Sequence, residues 1–261
     1  MLYGTIYGDI AGSKYEFKSV KNYNFTSVPK GSHFTDDTVM TLAVAKWLMR
    51  DDLTLEGLVE DMQEMGQLYP RAGYGGMFRH WLVNKNPKPY NSFGNGSAMR
   101  VAPCAWVAES LKEAEDLAKA SAIVTHNHPE GIKGAQATAA AIWLARNNYE
   151  KCEIKDYITK TYGYNLDRTI QEIKDSGYRF DSTCQGSVPE SIIAFLEGDD
   201  FDEVIRLAIY LGGDADTQAA IAGSIAEAFY GIPNKNVEIA KKHLDKTLID
   251  IINKFNKFCN E

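Results

Sequence analysis

The chain has few cysteines, and none stands in a pattern that binds a metal or builds a disulfide framework. Its four cysteines, Cys104, Cys152, Cys184 and Cys259, are widely spaced among 261 residues and include no Cys-x-x-Cys pair. This spacing differs from that of zinc ligands and from the dense cysteines of small secreted domains. The sequence therefore predicts free thiols in a reducing compartment, and we expect a cytoplasmic protein.

The chain also lacks a long apolar run and an excess of positive charge. Its longest apolar stretches are interrupted by Arg100, Glu109 or Glu227, so none is expected to span a bilayer. The segment from Met1 to Ser13 has no basic start and carries Asp9 in its apolar part, which is unlike a secretory signal. With 28 Lys and Arg against 35 Asp and Glu, the net charge of −7 argues against nucleic acid or an acidic membrane as the main partner.

Length and periodicity predict one large helical domain. No Pro- or Ser-rich linker divides the chain, so we expect a single domain over residues 1–261 and, by default, a monomer. Apolar residues recur at helical spacing, and no segment shows the alternation of a half-buried strand, which predicts an all-α fold of about ten or more helices. These include a helix that begins at a Ser187 cap before Pro189, a helical stretch over Ile154 to Ile173, and a last helix over Val237 to Phe258.

Two carboxylates and two threonines stand together at one predicted helix start. Thr35, Asp36, Asp37 and Thr38 follow a polar loop and precede the apolar positions of an amphipathic helix. Taken alone, these residues are explained by capping and by the helix dipole, which both favour Thr and Asp at this position.

A second stretch far along the chain repeats this arrangement. A Gly212-Gly213 break ends an apolar helix, and Asp214, Asp216 and Thr217 open the next one. If the two starts face each other, four carboxylates share a small volume, and they do not all remain ionised without a cation. Asp and Thr oxygens without nearby Cys or His suit Mg²⁺, Mn²⁺ or Ca²⁺ rather than Zn²⁺. Two ions about 3.5–4 Å apart, bridged by one Asp, would hold substrate oxygens and activate a water.

Three other stretches admit both a structural and a functional interpretation. Gly4, Gly8 and Gly12 line one face of a predicted helix, which favours close packing, and Asp9 on this helix could support a metal site from behind. The loop from Gly94 to Ser97 exposes backbone N–H groups that can hold a diphosphate, although a plain turn explains the same letters.

The third stretch, Thr125 to His128, ends another predicted helix. Its His-x-His pair could bind a metal, but a histidine with satisfied hydrogen bonds at a helix end is the more common outcome.

Five stretches together resemble the ADP-ribosylglycohydrolases, the family that includes the dinitrogenase-reductase activating glycohydrolase. They occur in the family's order and span nearly the whole chain. The stretches are Gly4 to Ser13, Thr35 to Thr38, Gly94 to Arg100, Thr125-His126 and Gly212 to Thr217. The resemblance implies the single, orthogonally packed multi-helix domain of this family.

The resemblance also implies a binuclear centre with two Mg²⁺ or Mn²⁺ ions. By analogy with the family, one ion is held by Thr35, Asp36, Asp37 and Asp216, and the other by Asp214, Asp216 and Thr217. Asp36 or Glu16 is implied as the catalytic carboxylate. The implied contacts to ADP-ribose are Asn95, Gly96, Ser97, Met99 and His126.

The implied reaction is hydrolysis of the glycosidic bond between ADP-ribose and an acceptor, which reverses mono-ADP-ribosylation. The ions would fix the vicinal hydroxyls of the distal ribose, and a water deprotonated by a carboxylate would attack its anomeric carbon. The acceptor, whether protein, nucleic acid or small molecule, is left open. Two other hypotheses stand beside this one: a non-catalytic module that binds ADP-ribose or metal, and a metal-dependent phosphohydrolase that acts on a nucleotide.

Overall fold

Helices form the regular secondary structure of residues 1–260, the part of the chain that the computed structural model describes. The helices are α1 Tyr3–Gly12, α2 Asp36–Leu48, α3 Leu55–Leu68, α4 Gly76–Leu82, α5 Ala102–Val107, α6 Leu111–Ile123, α7 Pro129–Arg146, α8 Lys151–Tyr162, α9 Ile170–Asp175, α10 Cys184–Glu197, α11 Phe201–Leu211, α12 Ala215–Tyr230, α13 Asn234–His243 and α14 Lys246–Phe258. A short 3₁₀ turn covers Asn95–Ser97, and an isolated bridge pairs Gly94 with Thr183. The predicted all-α class is confirmed.

The helix that contains Pro189 begins earlier than predicted. Helix α10 starts at Cys184, and its cap is Thr183, whose hydroxyl accepts the Gly186 N–H at 3.1 Å. Ser187 is therefore not the cap, and its hydroxyl donates to the Thr183 carbonyl at 2.6 Å. Pro189 lies in the second turn, where it removes one intrahelical hydrogen bond.

The two long helical stretches are each divided, so their predicted continuity was wrong. Gly163, with a φ of +69°, ends α8, and α9 begins only at Ile170. The stripe over Val237 to Phe258 is shared between α13 and α14, because the Asp245 side chain accepts the Leu248 N–H at 3.1 Å and starts a new helix. The spacing of apolar residues thus predicts which helix faces are buried but not where one helix ends and the next begins.

Helices α1 and α12 lie in direct backbone contact. Gly4, Gly8 and Gly12 form the contact face of α1, and a methyl group at any of them would overlap the backbone of α12. The contacted positions run backward along α12 from Gly223 to Ala215, so the two helices are antiparallel. The predicted close packing is confirmed, and the end of α1 lies beside the start of α12.

The other helices hold the start of α12 in place. Helices α7, α10 and α11 pack around α12, and α2 packs against α1, α3, α5 and α14. Large side chains such as Trp47, Phe195, Phe201 and Phe255 are fully buried between them. None of the helices in residues 1–260 combines the length and the apolar character needed to cross a bilayer.

Gly8→Ala is expected to lower the free energy of unfolding by about 2 kcal/mol or more, because the added methyl group meets the Ala219 carbonyl and the backbone beside it. Gly76→Ala is the matched control, since no atom stands close to that position at the start of α4. Urea-induced unfolding measures both changes. Equal unfolding midpoints for the two variants would contradict the backbone contact.

Candidate active site

Asp9 of α1 binds the start of α2. Thr35, the N-cap of α2, donates its N–H and its hydroxyl to the Asp9 carboxylate at 2.9 Å and 2.7 Å. Thr38 also donates its N–H and its hydroxyl to Asp9 Oδ2. One buried carboxylate thereby pairs with donors that a helix start leaves free. Asp9 fixes the first turn of α2 relative to α1.

The start of α12 reaches the same place through a tight connection. Gly212 and Gly213 have φ values of +84° and +93°, a region that favours glycine, and they turn the chain between α11 and α12. Asp214, Asp216 and Thr217 then lie at the start of α12. Thr217 Oγ1 donates to Asp37 Oδ2 at 3.3 Å, although 180 positions separate the two residues in the sequence. The two helix starts therefore face each other.

Carboxyl groups converge at this junction in two overlapping groups. The groups are Asp9, Asp37 and Asp216, and Glu16, Asp214 and Asp216. Within each group, one oxygen atom per residue lies within 4.8 Å of the others. Asp216 belongs to both groups. Asp36, which the resemblance also implied as an ion ligand, belongs to neither among the described residues; it is partly exposed and lines the adjoining cavity.

Within the part of the chain that the structure describes, no basic side chain forms an ion pair with this carboxylate cluster, by which we mean Asp9, Glu16, Asp36, Asp37, Asp214 and Asp216. The ion pairs formed within residues 1–260 involve none of the six. Asp37 Oδ1 is buried and has no hydrogen-bond partner in this part of the chain. Like charges at this separation need protons or cations to balance them.

Burial and mutual repulsion raise the pKa values of the cluster. Burial raises the pKa of Asp36 from 3.8 to about 8, and the negative charge of Asp9 is the next largest cause. Burial likewise raises the pKa of Glu16 from 4.5 to about 7, with smaller effects from the charges of Asp214 and Asp9. Burial also holds the pKa values of Asp37 and Asp216 well above their ordinary value. Burial and repulsion therefore favour the protonated forms of these carboxyl groups.

A cavity of about 500 Å³ opens beside the cluster, a volume typical of small-molecule sites. The lining includes Thr217 and five residues of the carboxylate cluster, namely Glu16, Asp36, Asp37, Asp214 and Asp216. It also includes four of the predicted ADP-ribose contacts, namely Asn95, Gly96, Met99 and His126. The structure thus brings most of the predicted site residues to one cavity.

Two predicted site residues use their hydroxyl groups inside the protein. Ser97 is fully buried behind the loop, and its hydroxyl donates to the Gly131 carbonyl at 2.7 Å. Thr35 is buried, and its hydroxyl donates to Asp9. Asn95 has a linking role, because its Nδ2 donates to Asp214 Oδ2 at 2.8 Å and so ties the Gly94 loop to the cluster.

The two histidines of the Thr125 to His128 stretch have separate positions. His126 lines the cavity, and burial together with the positive charge of Arg100 lowers its pKa well below the ordinary value of 6.5. His128 is the N-cap of α7, where its ring accepts the Glu130 N–H at 3.1 Å. His128 is thus a hydrogen-bonded histidine at a helix end, the interpretation that the sequence favoured over a metal-binding pair of histidines.

Much of the remaining lining comes from segments that the sequence did not single out. These residues include Phe17, Gly73, Gly75, Gly76, Met77, Phe78, Tyr90, Phe93 and Phe180. Phe17 and Phe180 stack with their ring centroids 5.6 Å apart, although 82% and 48% of their surfaces are exposed. The sequence offers one signal for the stretch around Phe78, because Gly75 and Gly76 before it leave a surface without side chains.

Comparisons with known proteins agree with this geometry. A family model described as ADP-ribosylglycohydrolase matches residues 1–256. ADP-ribosylarginine hydrolase Tri1 of Pseudomonas putida (strain GB-1) is 26% identical over 281 residues, which cover 92% of this chain and 72% of the relative. ADP-ribosylhydrolase ARH3 of Homo sapiens is 28% identical over 310 residues, which cover 88% of this chain and 84% of the relative. A solved structure, described as an ADP-ribosylglycohydrolase-related protein complex, aligns with a TM-score of 0.73 at 23% identity and covers 97% of this chain and 95% of that chain.

Because the family model matches nearly the whole chain, the chain belongs to the ADP-ribosylglycohydrolase family. The resemblance and the prediction of a glycosidic-bond hydrolase are confirmed at this level. The solved structure, at its low identity, supports the shared fold alone.

In the presence of a chelator, the free energy of unfolding is expected to fall as the pH rises through the cluster's titration range. For Asp36 this range runs from the ordinary pKa of 3.8 to the folded-state pKa of about 8. Across this window the folded protein binds more protons at the cluster than the unfolded chain does, so a rise in pH favours unfolding. Added Mg²⁺ or Mn²⁺ should raise the melting temperature most at the upper end of the window.

Asp37→Asn removes one carboxylate and should weaken both the pH dependence and the ion effect. Asp250→Asn, at an exposed position of α14, is the control and should change neither. Thermal unfolding with chelator or ion at several pH values measures the difference between the variants. A pH dependence that is the same in Asp37→Asn as in the unaltered protein would contradict the raised pKa values.

Proposed function

We propose that this protein hydrolyses the glycosidic bond between ADP-ribose and an acceptor, and so reverses mono-ADP-ribosylation. The observation that carries the proposal is the convergence of Glu16, Asp37, Asp214 and Asp216 beside a cavity of nucleotide size. Glycosidic cleavage passes through an oxocarbenium-like state, which carboxylates stabilise. The names of two relatives, ADP-ribosylarginine hydrolase and ADP-ribosylhydrolase, support the same reaction class.

We further propose that the cluster holds two Mg²⁺ or Mn²⁺ ions. Within residues 1–260, Asp37 Oδ1 has no partner and the cluster forms no ion pair, which supports a cation here. An all-oxygen donor set suits a hard divalent ion. Asp37 and Asp216 would hold one ion, and Asp214 and Asp216 the other, with Glu16 beside the second group. Asp9 would add its charge to the first group while it holds Thr35 and Thr38. When bound, such ions act as Lewis acids and orient sugar hydroxyls.

This assignment differs in part from the one that the resemblance implied. Asp9 and Glu16 enter the groups of close oxygen atoms, whereas Asp36 does not. Asp36 is therefore proposed first as a proton-transfer group. Thr217, which donates to Asp37, and Thr35, which donates to Asp9, would orient the ligand carboxylates.

Glu16 and Asp36 are the proposed proton-transfer pair. Both keep part of their surface open to the cavity, whereas Asp37, Asp214 and Asp216 are buried. In the cluster without ions, burial and then the neighbouring carboxylates raise the pKa values of both groups above their ordinary values, towards the neutral range that suits proton transfer. The ionised member can accept a proton from a water in the cavity, and the protonated member can donate one to the leaving group.

Asp36→Ala is expected to reduce the release of ADP-ribose at least about 100-fold, the typical contribution of a general acid or base. The substrates are ADP-ribosylated arginine, serine and nucleobase acceptors and O-acetyl-ADP-ribose, assayed with Mg²⁺ or Mn²⁺. Asp250→Ala, at the exposed position used above, is the matched control and should retain activity. Released ADP-ribose is measured by chromatography.

Each outcome of this assay has a distinct meaning. Release that is lost in Asp36→Ala and on chelation supports both proposals. Release that survives Asp36→Ala contradicts the role of Asp36, and release that survives chelation contradicts the ions. Binding of ADP-ribose without release from any acceptor would indicate a non-catalytic module. Consumption of ADP-ribose to AMP or phosphate would indicate a phosphohydrolase instead.

A further inference from the structure

Arg100 is a buried cation beside the cavity, and it has no carboxylate partner among the described residues. Only 1% of its surface is exposed, and it forms no ion pair within residues 1–260. Its Nη2 atom donates to the Ser121 carbonyl at 2.7 Å and to Thr125 Oγ1 at 2.9 Å. A buried guanidinium without a counter-ion is costly, so a role in the adjoining site would explain its position better than packing does.

The contact with Arg100 decides what the Thr125 hydroxyl does. A guanidinium only donates, so Thr125 Oγ1 accepts this hydrogen bond and retains one O–H of its own. Two acceptors compete for that O–H. His126 Nδ1 is 2.7 Å from Oγ1, whereas the Ala122 carbonyl is 3.5 Å away, at the limit of a hydrogen bond. If Nδ1–H instead donated to Oγ1, the O–H would have only the Ala122 carbonyl at 3.5 Å, so donation from Thr125 to His126 Nδ1 is favoured.

An Nδ1 atom that accepts a hydrogen bond carries no proton, so the proton of a neutral imidazole lies on Nε2. The positive charge of Arg100 and the burial of the ring both oppose a second proton, which agrees with the lowered pKa of His126. His126 Nε2 lies against the Gly94 to Gly96 loop, where a methyl group on Gly96 would be 3.2 Å from it. Within residues 1–260 this Nε2 has no hydrogen-bond partner, and the ring lines the cavity.

We infer that Arg100 and Thr125 are positioning residues that hold His126 as the neutral tautomer with its proton on Nε2, so that Nε2–H donates to an oxygen atom of the nucleotide bound at the Gly94 to Gly96 loop. The identity of that nucleotide as ADP-ribose rests on the proposed function; the tautomer does not. The absence of a Cβ at Gly96 leaves the space that such an oxygen would need beside Nε2.

Thr125→Val removes the hydroxyl with little change of shape, and Thr125→Ser keeps it. The matched control is Thr138→Val in α7, because the Thr138 hydroxyl is also buried but has no hydrogen-bond partner within residues 1–260. Long-range ¹H–¹⁵N spectra of the five histidines, assigned with His126→Gln, distinguish an N–H nitrogen from an acceptor nitrogen. Titration calorimetry with ADP-ribose measures affinity without turnover.

In the unaltered protein, in Thr125→Ser and in Thr138→Val, we expect an acceptor-type Nδ1 and a protonated Nε2. Thr125→Val should give a mixture of tautomers and bind ADP-ribose about tenfold more weakly, the loss expected for one hydrogen bond. A protonated Nδ1 in the unaltered protein, or full affinity in Thr125→Val, would overturn the inference. If the unaltered protein does not bind ADP-ribose, the proposed function fails, and the spectra still decide the tautomer.

Discussion

The close approach of α1 and α12 is the constraint on which the rest of the site depends. Three glycines in successive turns of α1 remove the side chains that would otherwise separate the two backbones. Asp9 lies on the same helix as Gly8 and Gly12, and Gly12 packs against Ala215 and Asp216 at the start of α12. Because Asp9 also binds the first turn of α2, one helix contact brings together three helix ends from distant parts of the sequence.

This arrangement opposes the stability of the metal-free protein. Buried carboxylates repel one another and lose their hydration, so the fold retains them only with bound protons or cations. A site of this kind trades stability for the ability to hold cations and charged intermediates. Another part of the cavity lining carries Arg100 and His126, and burial together with the charge of Arg100 lowers the pKa of His126. In the loop beside His126, the Gly94 and Asn95 N–H groups donate to Ser92 Oγ and to the Ser182 carbonyl. The cavity thus combines a carboxylate wall with a wall that carries a buried cation and a histidine.

The parts of the structure that follow from local chemistry could be predicted from the sequence. The helix starts at Thr35 and Asp214 could be predicted because capping residues and glycine breaks are local signals. The close packing of Gly8 could be predicted because the glycines recur at helical spacing. Other features depend on distant contacts. Thr183 rather than Ser187 caps α10, because the backbone of Ser182 and Cys184 pairs with Asn95 and Phe93 and fixes where the helix begins. The aromatic lining from Phe17 and Phe180 comes from two loops that meet only in the folded chain.

We propose that carboxylates from opposite ends of the sequence hold divalent ions at one cavity. Diffraction from crystals grown with Mn²⁺ and measured near the manganese absorption edge would locate these ions. We expect anomalous difference peaks between Asp37, Asp214 and Asp216. A map in which every manganese peak lies away from these three carboxylates would contradict the claim.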